Sequence, residues 1–372
     1  MRNQQHPMSF LFKCFIIAWL LASLSVQAKP TNTSDSPFDL LDLNSSYTSW
    51  GISPTNKKSS INLQEAWQIL NTPKKKIVVA VIDTGIDPNH PFFSRSLYLM
   101  DKKITSSEYG VDFSKNSKNK YTPFDYHGHG THVAGIVRSV DPSVQLLILK
   151  YYNPEATGKD NLNSTIDALK YAVDNNVDII NYSGGGPEPA LEELRILKEA
   201  ERKGILIVAA AGNEESNIDQ KKSAYYPASY GLSNIITVSA YDMQLSMLSV
   251  SNYGKYSVDI FAPGHRIKSS YPNGRSGILT GTSQATAFVT GVASLIKSQY
   301  PAFDGPTLKK IITASATEEV NFFNKCKSNG RLNAYNALKM AKSYETLKIA
   351  PNRELANKKV GHIQYRLHKK AQ

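Results

Sequence analysis

The chain has 372 residues, 41% of them hydrophobic and 20% charged, with a formal net charge of +12. That balance excludes a disordered chain or a fibre and allows one large α/β core. The positive charge comes without a zinc pattern, an RNA-binding signature or a basic-aromatic stripe, so nucleic acid is set aside as a partner.

The first residues read as a signal peptide over 1–28: Arg2, an apolar stretch from Phe10 to Val26 broken only by Lys13, then Ser25-Val-Gln-Ala28 with small residues suited to cleavage after Ala28. The run free of charge, from Cys14 onward, is too short to span a bilayer, which argues against a stable membrane anchor and for a secreted or periplasmic product. Cleavage would remove Cys14 and leave Cys326 alone, so no internal disulfide is expected. Lys29 to Asn62 has no helical or strand period; a leader or short propeptide is drawn over 29–47 and a folded domain over 48–345. Asn62-Leu-Gln-Glu65 has the spacing of a helix cap and its reciprocal glutamate, predicting a helix through Leu70 that stops before Pro73.

Five bounded apolar runs then predict strands: Ile77–Ile82, Val144–Leu149, Val177–Ile180, Ile205–Ala209 and Ile235–Val238. Helical patterns over Thr165–Asn175 and Ala190–Lys203 alternate with them, which predicts a three-layer α/β sandwich around a mainly parallel sheet. In such sheets ligands bind beyond the carboxyl ends of the strands, so the residues just after each run matter most. A tail over 346–372 closes the chain, its basic residues from Arg353 to Lys370 opposed only by Glu354, and reads as a solvated segment.

Five glycine-rich segments follow the runs or open a helix. Val81-Ile-Asp-Thr-Gly-Ile-Asp87 puts Asp83 at a strand end, where a carboxylate held by backbone donors suits the orienting of an imidazole. Asp125-Tyr-His-Gly-His-Gly-Thr-His-Val-Ala-Gly135 carries His127, His129 and His132; their closeness leaves metal ligation open, although the glutamate of a helical zinc-hydrolase motif is missing. Asn181-Tyr-Ser-Gly-Gly-Gly186 offers main chain that an extended peptide could pair with. Val208-Ala-Ala-Ala-Gly-Asn-Glu214 places the amide of Asn213 after a buried strand. Leu279-Thr-Gly-Thr-Ser-Gln-Ala-Thr-Ala-Phe-Val-Thr-Gly291 sets Ser283 at a helix start, where free N–H groups favour negative charge; a plain capping serine is the alternative.

Together these segments resemble the subtilisin-like peptidase family, the subtilases, over about Trp50 to Ala341, including the late helix Gly330-Arg-Leu-Asn-Ala-Tyr-Asn-Ala-Leu338. The resemblance implies a secreted serine endopeptidase acting on protein or peptide substrates. It implies Ser283 as nucleophile, His129 as base, Asp83 as the group fixing the imidazole, and Asn213 with the Ser283 backbone N–H as oxyanion donors. It further implies a structural His132, a substrate strand at Ser183, Gly184 and Gly185 facing the segment around Thr157 to Leu162, and Tyr225 on the floor of the main specificity pocket, restricting it to small or medium apolar side chains.

The sequence departs from the family in three places. After the nucleophile it reads Gln284, Ala285, Thr286, Ala287, Phe288, Val289 instead of the usual Met-Ala-small-Pro-His-Val, which should still make a helix. The loop with which many secreted relatives ligate calcium is missing after His132, and Phe92 stands where they place aspartate, so no cofactor is required and calcium is left to a structural site the sequence does not identify. The leader is shorter than the usual inhibitory pro-domain, so the chain folds unaided or with a separate folding or inhibitory partner. Three rivals follow: a catalytically silent homologue that binds peptides, a metal-dependent hydrolase using the histidines, and a basic surface-binding protein.

Overall fold

The structure, a computed structural model, describes residues 47–349 except 94 and 99–107; the expected signal peptide, nearly all of the leader and the tail from 350 lie outside the described residues. The strands are β1 (Val78–Asp83), β2 (Gly110–Asp112), β3 (Gln145–Lys150), β4 (Ile179–Tyr182), β5 (Leu206–Ala210), β6 (Ile235–Tyr241), β7 (Ile260–Pro263), β8 (Ile267–Tyr271), β9 (Arg275–Leu279), β10 (Thr317–Glu318) and β11 (Gly330–Arg331). The helices are α1 (Leu63–Gln68), α2 (His129–Val140), α3 (Gly158–Asp174), α4 (Leu191–Arg202), α5 (Thr282–Gln299), α6 (Gly305–Ala314) and α7 (Ala334–Ile349).

Nine strands form one sheet in the order β10-β11-β7-β6-β5-β4-β1-β3-β2. Every pairing in it is parallel except β10 with β11. Successive side chains of a strand point to opposite faces, and here both faces are covered. Val79 and Val81 of β1 join the apolar layer made with α2, α5, α6 and α7. Ala80 and Ile82 face the other way, into the layer made with α3 and α4. The predicted three-layer sandwich is therefore present, and the unbroken apolar runs are its doubly buried strands.

The expected strands each start one or two residues late or run longer, the commonest error of pattern reading. Helix α3 begins at Gly158, well before the expected Thr165, because Thr157 caps it: its hydroxyl accepts from Asp160 N (3.1 Å) and the Asp160 carboxylate accepts from Thr157 N (3.3 Å). The cap expected at Asn62 does not form. Asn62 adopts the left-handed conformation (φ 57°) with no side-chain bond to the helix, and α1 ends at Gln68, short of Leu70.

Strands β8 and β9 make a separate antiparallel hairpin that the sequence reading did not anticipate. Ser269 and Ser270 are buried in it and donate to the carbonyls of His132 and Thr131, so the hairpin is bolted to the first turns of α2. Helix α5 passes through the middle of the larger apolar layer with all of its residues buried.

Candidate active site

Parallel pairing aligns the carboxyl ends of neighbouring strands. Ile82 pairs with Tyr182 and Tyr182 with Ala209, so Asp83 at the end of β1, Ser183 just after β4 and Asn213 just after β5 come to one edge of the sheet. Gly85 turns the chain away behind Asp83 at φ +112°; a Cβ there would lie 2.4 Å from the Pro123 carbonyl oxygen, so only glycine serves.

Asp83 is buried. Its Oδ1 accepts from Thr84 N (2.8 Å) and from His129 Nδ1 (2.7 Å), while its Oδ2 has no partner. The imidazole of His129 is therefore held with its proton on Nδ1 and Nε2 left for chemistry. Burial alone would pull this imidazole below its ordinary range, but the Asp83 charge and hydrogen bond, helped by the Asp125 charge, outweigh it and raise the pKa.

His129 opens α2, and the loop before it is organised by Asp125. That fully buried carboxylate accepts five hydrogen bonds: Thr84 Oγ1 (2.9 Å), His127 N (3.0 Å) and Gly128 N (2.7 Å) on one oxygen, Thr131 N (2.9 Å) and Thr131 Oγ1 (2.7 Å) on the other. Burial opposes its charge, yet the donors hold its pKa below the usual carboxylate range. Thr84 completes the link by accepting from Gly130 N (2.8 Å). From the hairpin, Tyr271 donates to the His127 carbonyl (3.0 Å), its ring filling the space a Cβ on Gly128 would occupy. Asp125, Thr84 and Tyr271 were missed as site residues. The first two had a signal, an acid and a hydroxyl beside glycine-rich turns; Tyr271 had none, being distant in sequence.

The three histidines diverge. His132 is buried with Nε2 2.9 Å from the Ile267 carbonyl, and burial brings its pKa down to about 4, which fits the structural role expected of it. His127 is exposed, with its ring centroid 6.3 Å from that of His129. Among the described residues no three His, Cys, Asp or Glu side chains converge on a metal position. At the expected calcium departure, Phe92 lies under the Arg138 guanidinium (4.7 Å to the ring centroid), and an aromatic ring with a cation above it does not fit a divalent ion.

Ser283 is the second residue of α5, 7% exposed, at the end of the helix where N–H groups lack helical partners. Its hydroxyl donates to the Ser183 carbonyl (3.0 Å) and not to His129. Asn213 Oδ1 accepts from Thr282 N (3.0 Å) and Thr282 Oγ1 (3.2 Å), which fixes the amide so that the exposed Nδ2 is free to donate. Helix α5 continues unbroken through the altered segment: the Phe288 ring takes the space a Cβ on Gly51 would need (2.9 Å), while Gln284, 1% exposed, has an Nε2 with no partner.

Beyond Ser183 the main chain of Gly184 and Gly185 has no backbone partner, and Gly186 bridges to Tyr226 in antiparallel fashion (3.0 and 2.8 Å). A cavity of about 650 Å³ lies between this segment and the start of α3, lined by Gly158, Asn161, Leu162, Gly185, Gly186 and Tyr226, so the start of α3 faces the glycine segment. Tyr225 sits where its ring would collide with a Cβ on Gly185 (2.4 Å) or Gly212 (3.0 Å), between the segment Ser183 to Gly185 and the Asn213 turn.

Residues 74–339 match the model of the subtilase family. The major intracellular serine protease of Bacillus subtilis (strain 168) is 36% identical over 233 residues, which cover 60% of this chain and 69% of that protein. Subtilisin amylosacchariticus of Bacillus subtilis subsp. amylosacchariticus is 34% identical over 256 residues, 66% of this chain but 62% of that protein, so under two thirds of its length is spanned. Among solved structures, a cold-adapted subtilisin-like serine proteinase superposes with a TM-score of 0.61 at 24% identity, covering 78% of this chain and 99% of its own, a likeness of fold.

Proposed function

Because the chain belongs to the subtilase family, we propose that it is a serine endopeptidase that hydrolyses peptide bonds through Ser283, His129 and Asp83. The observation that carries this reading is the His129–Asp83 contact of 2.7 Å on one side of the cleft, with Ser283 anchored to the neighbouring strand end on the other.

In this reading Ser283 Oγ leaves the Ser183 carbonyl by rotation about its Cα–Cβ bond between staggered positions and passes its proton to His129 Nε2 as it attacks the scissile carbonyl. Asp83 keeps the imidazole in the right tautomer and stabilises its cation. Asn213 Nδ2 and the Ser283 backbone N–H bind the developing oxyanion, and His129 then protonates the leaving amine. The main chain of Ser183 to Gly185, unpaired at Gly184 and Gly185, takes the substrate as an added strand, and Tyr225 keeps the pocket for the cleaved residue shallow, favouring small or medium apolar side chains. A peptide library tests that last point: efficient cleavage after arginine or a bulky aromatic residue would refute it.

Export of the chain after removal of 1–28 belongs to the same proposal and is checked by N-terminal sequencing of protein recovered outside the cytoplasm. The catalytic reading is tested by treating the purified chain with a fluorophosphonate probe beside Ser283→Ala. Labelling of the wild type alone supports it. A folded protein that stays unlabelled and cuts no peptide would be the silent, peptide-binding homologue, a reading favoured by the Ser283 hydroxyl resting on Ser183.

A further inference from the structure

A second cavity, of about 350 Å³, opens on the His129 side of the cleft. Its walls include Thr84, next to the triad aspartate, and His127, two residues before the triad histidine, together with Lys115, Asn116, Ser117 and Lys150. No aspartate or glutamate lines it. Residues 114–117 form one of its walls, and the loop they belong to, residues 113–124, carries Lys115, Lys118 and Lys120 and no acidic residue.

The donors here differ in what they can offer. Lys150 is nearly buried, spends its ammonium on the Phe124 carbonyl (2.8 Å) and lies 4.0 Å from Asp112, so it supplies field and not a new bond. Lys115 bridges Asp160 (2.9 Å) from an exposed position, and its ammonium retains donors that this single bridge does not use. The His127 ring, the Asn116 amide and the Ser117 hydroxyl make no hydrogen bond within the described chain. The carboxylates paired with these lysines, Asp160 and Asp112, lie outside the lining, so the wall itself presents donors with unused capacity and is suited to an anion.

We infer that this pocket takes an acidic side chain of the substrate, one residue upstream of the residue whose carbonyl is attacked. The position follows from the geometry of an extended chain: side chains alternate, so if the cleaved residue faces Tyr225 and the glycine strand, its upstream neighbour faces His129 and this cavity. The inference rests on the peptidase reading above and narrows it to substrates carrying Glu or Asp at that position.

The test uses the full chain, titrated first with a fluorophosphonate, and three peptides identical except for Glu, Gln or Lys at that position, with cut sites verified by mass spectrometry. The expected kcat/KM order is Glu, then Gln, then Lys, with about three- to fivefold between the first two, as befits partly exposed charges, and a narrowing of the gap in high salt. Lys115→Glu, at an exposed site outside the triad, should invert the order while leaving the titre of active sites unchanged. Equal rates for Glu and Gln, or an order indifferent to Lys115→Glu, overturn this inference alone. A chain that neither labels nor cuts any of the three peptides overturns the peptidase reading, and this inference with it.

Discussion

The two flanks of the cleft are built to different tolerances. On the acid–base flank the groups that orient the imidazole are engaged, Asp83 Oδ2 excepted: Asp125 takes five donors, Thr84 both gives and receives, and His129 is locked to Asp83. On the Ser283 flank the Ser283 hydroxyl rests on the Ser183 carbonyl, Asn213 Nδ2 has no partner, and Gln284 Nε2 is buried without one. The contrast teaches where reorganisation is permitted. In the proposed mechanism the imidazole is preorganised, and the groups that would meet the changing charge of the substrate are held free for it.

Removing Ser283, the proposed nucleophile, should have the largest effect. Ser283→Ala is expected to lower turnover on the order of 10⁶-fold, a scale known from subtilisin itself, with the fold intact by circular dichroism. On the same flank, Asn213→Ala should cost roughly 10²- to 10³-fold in turnover, again a range taken from subtilisin, with little change in KM. An unchanged turnover would remove Asn213 from the oxyanion site.

On the other flank the expected loss is in stability before chemistry. Asp125→Ala strands buried N–H and hydroxyl donors and should lower unfolding free energy by about 2–4 kcal/mol, read from denaturant midpoints. If the two flanks were equally tolerant, this variant would melt with the wild type.

The pH dependence tests the His129–Asp83 lock. A raised pKa keeps His129 protonated to higher pH, and the protonated ring cannot accept a proton. The acid limb of kcat/KM should therefore lie above the ordinary imidazole value of about 6.5. Asp83→Asn removes the larger of the charges that raise it, leaving the weaker contribution of Asp125, and should move the limb down. The stabilisation from this pair runs the other way: it is fully present below the unfolded imidazole pKa and is lost as pH rises through the folded one. The smallest expected effect is that of Tyr271→Phe, which deletes one exposed hydrogen bond to His127 and should slow turnover by less than about tenfold.

Much of this was legible in the sequence, for identifiable reasons. Doubly buried parallel strands are written as unbroken apolar runs, and the active edge of such a sheet follows from its topology, so Asp83, Ser183 and Asn213 could be picked out as strand-end residues. The hairpin was not legible because Ile267-Lys-Ser-Ser-Tyr271 looks polar; its serines are buried only because they bond to the backbone of α2. Asn62 had the right spacing for a cap, but tertiary context left it in a left-handed turn. The orienting role of Asp125 depended on donors converging from two separate segments, which spacing along one chain does not display.

Helix α5 has one more consequence. A proteolytic enzyme is surrounded by copies of itself, and a backbone must be drawn out as an extended strand before it can be cut. The helix that carries Ser283 has no exposed residue from Thr282 to Gln299, so it can be drawn out only when the whole fold opens. The run from Lys115 to Tyr121, by contrast, is exposed throughout. Self-digestion should begin there, where it would nick the wall of the cleft while the nucleophile stayed sealed in the core.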